Sequence, residues 1–339
     1  MPEVRITAIA GTKPEKYARL AKEYEIPFFT TDWRELVASP EVDIIHLATP
    51  PYLHAEQGIA AAEAGKHIFC EKPLAVTLND ADAMLQAAYR NRVRLGINFV
   101  MRYSGLYQLL NTITQEGLLG APQHFCFENN AGDLPADHWF WDRSKSGGIP
   151  IEHGVHFFDI FKMLFGESVL RWSGCTRREG GEEDKWLVVH QYGKQMYGSF
   201  FHAFDKPSAI ECTTCGIEFE RGRVVLDGWI PERLRLDGVV NARDSERLTN
   251  LFPEVNVTPF NTADAVLANG KRFPVESRIT IDYTPAPKQV LYAQAVQDAM
   301  ADFIAWTLVP DYLPRVTGDD ARAALAMALQ ADGLAHSLR

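Results

Sequence analysis

Two groups of residues in this chain have the types and spacing for proton chemistry. The first is Glu71-Lys72-Pro73, which follows a short apolar run, His67–Cys70. A lysine fixed between an acid and a proline can sit in a crevice where desolvation tunes its basicity, so that it relays a proton. A solvated loop lysine is the alternative reading. The second group is Glu152 and His156, which follow Ser146-Gly147-Gly148 at the start of a helical pattern. Four residues apart on a helix, they share one face. A carboxylate beside an imidazole suits proton transfer from an alcohol, because histidine titrates near neutral pH. The same spacing suits a helix-surface pair or two metal ligands. His153 lies off that face and no third ligand is evident, so no metal site is expected.

The elements that must position these groups change in kind along the chain. Up to about residue 100, short apolar runs alternate with helical patterns: Arg5–Ala10, Val42–Ala48, His67–Cys70 and Val93–Phe99 as strands, and Pro14–Tyr24, His54–Ala64 and Asn79–Asn91 as helices. Asp32 is placed to cap a further short helix. This is the pattern of a doubly wound parallel α/β sheet. In such sheets the site lies beyond the carboxyl ends of the strands. Ala48-Thr49-Pro50-Pro51-Tyr52-Leu53-His54 and Glu71-Lys72-Pro73 both fall there.

Beyond about residue 120, Gln123–Asn129, Trp186–Gln191, Gln195–His202, Glu211–Glu220 and Arg223–Leu226 read as strands joined by short turns. Only two helices, Gly154–Phe165 and Tyr292–Thr307, interrupt them before a last helix at Asp319–His336. Residues 230–290 carry no clear pattern. The expectation is an α/β domain over residues 1–102, then an α+β domain over residues 103–339 with a large, open, mostly antiparallel sheet.

Composition narrows the function. The chain has 339 residues and a net charge of −10, without a basic block. Nucleic-acid binding needs clustered Lys and Arg to neutralise phosphates, and is disfavoured. No apolar run reaches the ~18–20 residues that span a bilayer, and the N-terminus lacks the pattern of a signal peptide. The five cysteines are odd in number and scattered, which suits reduced thiols and a cytoplasmic location. Cys212 and Cys215 form a single C-x-x-C with no partner pair, and read as strand residues.

Together, A-T-P-P-x-x-H, E-K-P-L-A and G-G…E-x-x-x-H-x-x-D resemble the glucose–fructose oxidoreductase / inositol dehydrogenase (Gfo/Idh/MocA) family over most of the chain. The resemblance implies a Rossmann domain followed by an open-sheet domain that carries the substrate and forms a homo-oligomer, a dimer or tetramer. It implies Lys72 and His156 as the catalytic pair with Glu152 beside them, and cofactor contacts from Thr49, Pro50, His54, Glu71, Lys72 and Asn98. Tyr103 and Trp139 would face nicotinamide and substrate. The implied reaction moves a hydride between NAD(P) and a sugar, polyol or cyclitol-like alcohol or carbonyl. Polar aromatics, Trp141 included, fit a stacked sugar ring. Two other readings stand beside it: a glycoside hydrolase or lyase that uses the dinucleotide transiently, and a non-catalytic binding or regulatory relative.

The chain departs from the family pattern in three places. Glu152 stands where Asp is usual, and Trp139-Phe140 where Trp-Arg is frequent. The third departure is larger: the family's first strand, G-x-G-x-x-G turn and first helix have no counterpart, and the chain opens on what matches the second strand. The natural protein is therefore expected to continue upstream by about 25–30 residues; a shortened, non-catalytic relative is the competing reading. Without that central strand, its two neighbours are expected either to close up and pair or to leave the domain unstable. The second strand ends in Gly11-Thr12-Lys13 with no acid to bind a ribose hydroxyl. Lys13 and Thr12 instead suit a 2′-phosphate, which puts NADP ahead of NAD.

Overall fold

The computed structural model describes residues 4–260 and 265–337. The chain divides into two compact units. The first comprises the residues up to Phe99 together with Asp298–Leu325; the second comprises Val100–Gln297 and the residues from Ala326 on. The boundary thus falls at 99/100 rather than at 102/103, and a stretch expected in the second domain joins the first. Side-chain packing gives the reason. Phe303 lies so close to Gly96 that a Cβ there would approach the ring to 2.5 Å. The Arg94 guanidinium sits 5.2 Å from the Trp306 ring, and Arg322 pairs with Asp82.

In the first unit the order is β1 (Ala8–Ala10), α1 (Pro14–Glu23), β2 (Phe28–Thr30), α2 (Trp33–Ala38), β3 (Ile44–Leu47), α3 (His54–Glu63), β4 (His67–Cys70), α4 (Leu78–Arg90) and β5 (Leu95–Ile97). Local chemistry sets the helix starts. Asp32 accepts from the Arg34 amide at 3.0 Å, and Thr77 accepts from the Asp80 amide at 3.1 Å. All strand pairs are parallel, but they form two sheets, β1–β2 and β3–β4–β5.

Among the described residues no strand lies between β1 and β3, and the two do not pair, so the expected closure does not occur. Each half is held by its own helices, α1 and α2 against β1–β2, α3 against β3–β4. The β1–β2 half has a thin core: of the described residues before 40, Ala21, Thr30 and Val37 are buried, while Ile6 and Phe28 are exposed.

The second unit contains α5 (Gly105–Gln115), β6 (Pro122–Gly132), α6 (Arg143–Ser146), α7 (Val155–Phe165), β7 (Ser168–Arg177), β8 (Glu183–Tyr192), β9 (Met196–Lys206), β10 (Cys212–Phe219), β11 (Gly222–Asp227), β12 (Arg233–Val240), α8 (Ala242–Leu251), β13 (Asn256–Pro259), β14 (Ala265–Ala268), β15 (Lys271–Pro274) and β16 (Ser277–Tyr283). Two long helices, α9 (Lys288–Leu308) and α10 (Gly318–Ser337), contribute to both units. Nine strands form one sheet in the order β13-β16-β12-β11-β10-β6-β9-β8-β7, antiparallel except where β6 meets β9. The expectation of only two helices before the last one is corrected by α5, α6 and α8, and the unassigned stretch 230–290 supplies four short strands and the sheet-edge strand β13. One face of the sheet carries the core. Phe125, Phe127 and Phe200 pack there against Phe157, Phe158 and Phe161 of α7.

Candidate functional site

The strand ends of the first unit carry a connected polar network. His54, at the start of α3, is fully buried, with Nδ1 2.8 Å from the Pro73 carbonyl oxygen and Nε2 2.8 Å from the Thr49 carbonyl oxygen. It fastens the Thr49-Pro50 loop to the Glu71-Lys72-Pro73 loop. Burial pushes the imidazole pKa down, against the pull of the two carbonyls. Its side chain is enclosed, so the expected cofactor contact is corrected to a positioning role. Thr49 donates its hydroxyl to Gln57 at 2.7 Å.

Glu71 accepts from Asn98 Nδ2 at 2.8 Å and lies 3.4 Å from His46 Nε2. Burial alone would raise the Glu71 carboxyl; the hydrogen bonds of His46 and Asn98 outweigh it and hold the pKa below its ordinary value. The buried thiol of Cys70 donates to the Glu71 carbonyl at 3.1 Å. Lys72 is half-buried at the same strand end. On β1's end, Gly11 is covered by the Tyr17 ring and donates its amide to Thr30, whereas Thr12 and Lys13 are exposed.

A dinucleotide fits part of this arrangement. Asn98 Oδ1 is buried at the end of β5 with no hydrogen-bond partner among the described residues. It is an acceptor suited to a ribose hydroxyl or a carboxamide. No G-x-G-x-x-G loop is present to hold a pyrophosphate.

In the second unit the residues leading into α7 are strained as a group. Gly147 and Gly148 have φ of +79° and +93°, and a Cβ on Gly148 would lie 2.7 Å from Arg143 Nη1. A π-helical turn, Pro150–Gly154, then precedes α7. Such turns are rare and are frequent at functional sites. Glu152 lies in the turn and His156 in the first turn of α7, where it is 7% exposed. The His153 ring is 6.4 Å from His156 and nearly perpendicular to it.

Sequence reasoning missed two contributors, Trp229 and His202, and carried Asp159 only as the last residue of a motif, without its partner. Asp159 is buried and holds Arg102 through two hydrogen bonds of 2.8 and 2.6 Å, which pins α7 to the turn containing Tyr103. Trp229, placed by the turn at Gly228, has its ring 6.1 Å from His156. The Asp-Gly-Trp sequence after a strand was its only signal. His202 on β9 lies 5.4 Å from His153. Of the expected substrate residues, Tyr103 is buried and Trp139 half-buried. Trp141 is already occupied, since Arg178 stacks on it at 4.3 Å and its indole donates to Pro135 at 3.1 Å.

Among the described residues Cys175, Glu183 and His336 come close enough to share a metal ion. The Glu183 carboxylate is already engaged by Arg143 and Arg177 at 2.7 Å and His336 at 2.9 Å. Burial would raise it, but Arg177 and His336 hydrogen bonds and the Arg143 charge hold its pKa at about 2. This is an ion-pair hub. Cys212 is exposed and Cys215 buried on opposite faces of β10, so they form no ligand pair.

Residues 1–99 match the family profile described as "Oxidoreductase family, NAD-binding Rossmann fold", and residues 107–224 match the GFO/IDH/MocA C-terminal domain. The chain belongs to the Gfo/Idh/MocA family. Among curated members it is 39% identical over 209 residues to a 1,5-anhydro-D-fructose reductase of Ensifer adhaerens, covering 59% of this chain and 62% of that one. It is 30% identical over 208 residues to a 2,7-anhydro-N-acetylneuraminate hydratase of Mediterraneibacter gnavus, covering 57% and 55%. The matched stretch thus spans little more than half the length of these Gfo/Idh/MocA relatives. A crystal structure of aldose-aldose oxidoreductase from Caulobacter crescentus complexed with glycerol superimposes with a TM-score of 0.73 at 21% identity, over 99% of this chain and 90% of that one. That likeness establishes the fold. No helix among the described residues is long and apolar enough to cross a membrane.

Proposed function

We propose that this Gfo/Idh/MocA member is an NAD(P)-dependent oxidoreductase acting on a CH–OH or carbonyl group of a sugar, polyol or cyclitol. One observation carries the reading: an imidazole, His156, is held at the head of α7 beside a carboxylate-bearing π turn and an indole, in a chain whose first 99 residues match an NAD-binding Rossmann profile. His156 exchanges the hydroxyl proton, Glu152 orients it, and Lys72 polarises the substrate oxygen. Thr49, Pro50, Glu71, Lys72 and Asn98 would hold the nicotinamide end of the cofactor, with Tyr103 and Trp139 toward substrate. When bound, the dinucleotide supplies the hydride acceptor or donor. Thr12 and Lys13, exposed and without a neighbouring acid, favour NADP over NAD.

The test is turnover of a panel of aldoses, inositols and anhydrosugars, with KM measured for NADPH and NADH. The expected result is turnover with a lower KM for NADPH; a clear preference for NADH rejects the Lys13 assignment, and no turnover of any member rejects the activity. A second, redox-neutral reading has support from the hydratase relative, and is separated by the absence of net NAD(P)H change.

The same reading includes a cytoplasmic homo-oligomer built through the sheet. Val169, Trp172, Leu187 and Tyr197 are large, apolar and exposed on β7–β9. Light scattering that finds only a monomer would reject the oligomer.

A further inference from the structure

The face of the nine-stranded sheet under α7 is mainly aromatic and aliphatic, and one of its cross-strand rows carries neighbouring polar side chains without partners. Thr213 on β10 is paired in register with Asn129 on β6, Asn129 with His202 on β9, and His202 with Trp186 on β8. The four side chains therefore stand in line on one face. All are at least nine-tenths buried, Asn129 at 3% and His202 at 1% exposed. Thr213 donates its hydroxyl to Asn129 Oδ1 at 2.8 Å. Asn129 Nδ2 and both ring nitrogens of His202 have no hydrogen-bond partner among the described residues.

The His202 ring is packed by Phe127 and Phe157, each 5.5 Å away, and stands perpendicular to His153 at 5.4 Å. Polar groups buried unpaired in aromatic surroundings cost stability. Leucine and phenylalanine would fill the same places without that cost. The cost is offset only when a guest supplies the missing partners.

We propose that Asn129 and His202 form the floor of the substrate site and bind one hydroxyl group of a polyhydroxylated substrate. The hydroxyl oxygen accepts from Asn129 Nδ2, and its hydrogen goes to the unprotonated nitrogen of His202. Burial, reinforced by the charge of nearby His153, pushes the His202 pKa well below its ordinary value. A neutral imidazole with one donor and one acceptor matches a hydroxyl better than a carboxylate or an ammonium group. The inference deepens the reading of His156 as the proton-exchanging residue and rests on it.

The test compares the full chain with its His202→Phe and Asn129→Leu variants, each with NADPH or NADP. Turnover is measured on myo-inositol, glucose and their single-position deoxy analogues, and melting temperature with and without each sugar. His202→Phe is expected to melt at or above the parent temperature, whereas Asn129→Leu also strips the buried Thr213 hydroxyl of its acceptor and is expected to melt somewhat lower. Their kcat/KM on the polyol that the parent uses should fall by on the order of 10²-fold or more, because a site built to pair a hydroxyl rejects its absence strongly. On the analogue lacking the bound hydroxyl, parent and variants should converge. An ordered water shares the chemistry of a hydroxyl, and it gives a different result. Raised melting temperature with unchanged kcat/KM would mean that the pair holds only water, and would overturn the proposal.

Should His202→Phe fail to fold, Asn129→Leu carries the same expectation for kcat/KM. Should the parent turn over no sugar, the oxidoreductase reading fails by itself. The polyol-dependent rise in melting temperature, expected in the parent and lost in both variants, then still reports the hydroxyl site, and its absence in the parent overturns it.

Discussion

The two units treat buried polar groups in opposite ways. At the strand ends of the first, most of these groups have a protein partner, with Asn98 Oδ1 the exception: His54 faces two carbonyls, Glu71 has Asn98 and His46, and Cys70 has the Glu71 carbonyl. On the sheet face of the second, Asn129 and His202 keep nitrogens without one among the described residues. A closed network fixes loops before anything binds, so it positions. An open row has capacity left over, so it selects. The difference predicts opposite signs for mutations: removing a partner from a closed group destabilises, whereas replacing an open group with an apolar one does not.

The comparison can be tested hardest at Asp159, a closed pair in the second unit. Arg102→Ala leaves that carboxylate buried and uncompensated, and should cost about 3–5 kcal/mol in chemical denaturation. A loss below about 1 kcal/mol would show that the pair is not closed. His54→Ala removes the single N–H that a neutral imidazole gives to one of these carbonyls, and should cost about 1–3 kcal/mol. It should also raise the KM for the cofactor more than it lowers kcat, because the two loops it joins carry Thr49 and Lys72. An unchanged cofactor KM would remove its positioning role.

The Glu183 hub sharpens the comparison by pH. Its folded pKa of about 2 lies below its ordinary value of 4.5, so its stabilisation is whole above about pH 4.5. It is lost as pH falls toward 2. Because Arg143 and Arg177 are partly exposed, about 1–2 kcal/mol is at stake after screening. Glu183→Gln should flatten the acid limb of the melting curve, and an unaltered limb would contradict the hub. The smallest effect is expected at Gly148, where alanine must adopt φ near +93° at a cost of about 1–2 kcal/mol. Thermal melting that finds Gly148→Ala neutral would mean the Gly-Gly turn relaxes freely.

Much of this fold was legible because local signals agreed with each other. His67–Cys70 was read to the residue, and the caps at Asp32 and Thr77 act within a few residues of where periodicity begins. The break between β1 and β3 was visible only as a missing motif, and of its two expected consequences the direct pairing of the neighbours is absent. A sequence shows that a strand lacks its neighbour, but not whether helices will hold the two halves apart. Candidate groups could be read where residues lie close in sequence, as with Glu71-Lys72 and Glu152-His156. They were illegible where strand register brings distant residues together. Thr213, Asn129 and His202 are aligned by β10, β6 and β9, and no spacing in the sequence encodes that.

The central claim, redox chemistry at a carbohydrate hydroxyl, is tested most directly by stoichiometry. Product and NAD(P)H are quantified together from a single incubation of the full chain with oxidised cofactor and its preferred polyol. One NAD(P)H per carbonyl product, lost together by on the order of 10²–10⁴-fold in His156→Ala, is the expected result. Product that accumulates with no net change in NAD(P)H would contradict the claim and assign the same residues to a redox-neutral reaction.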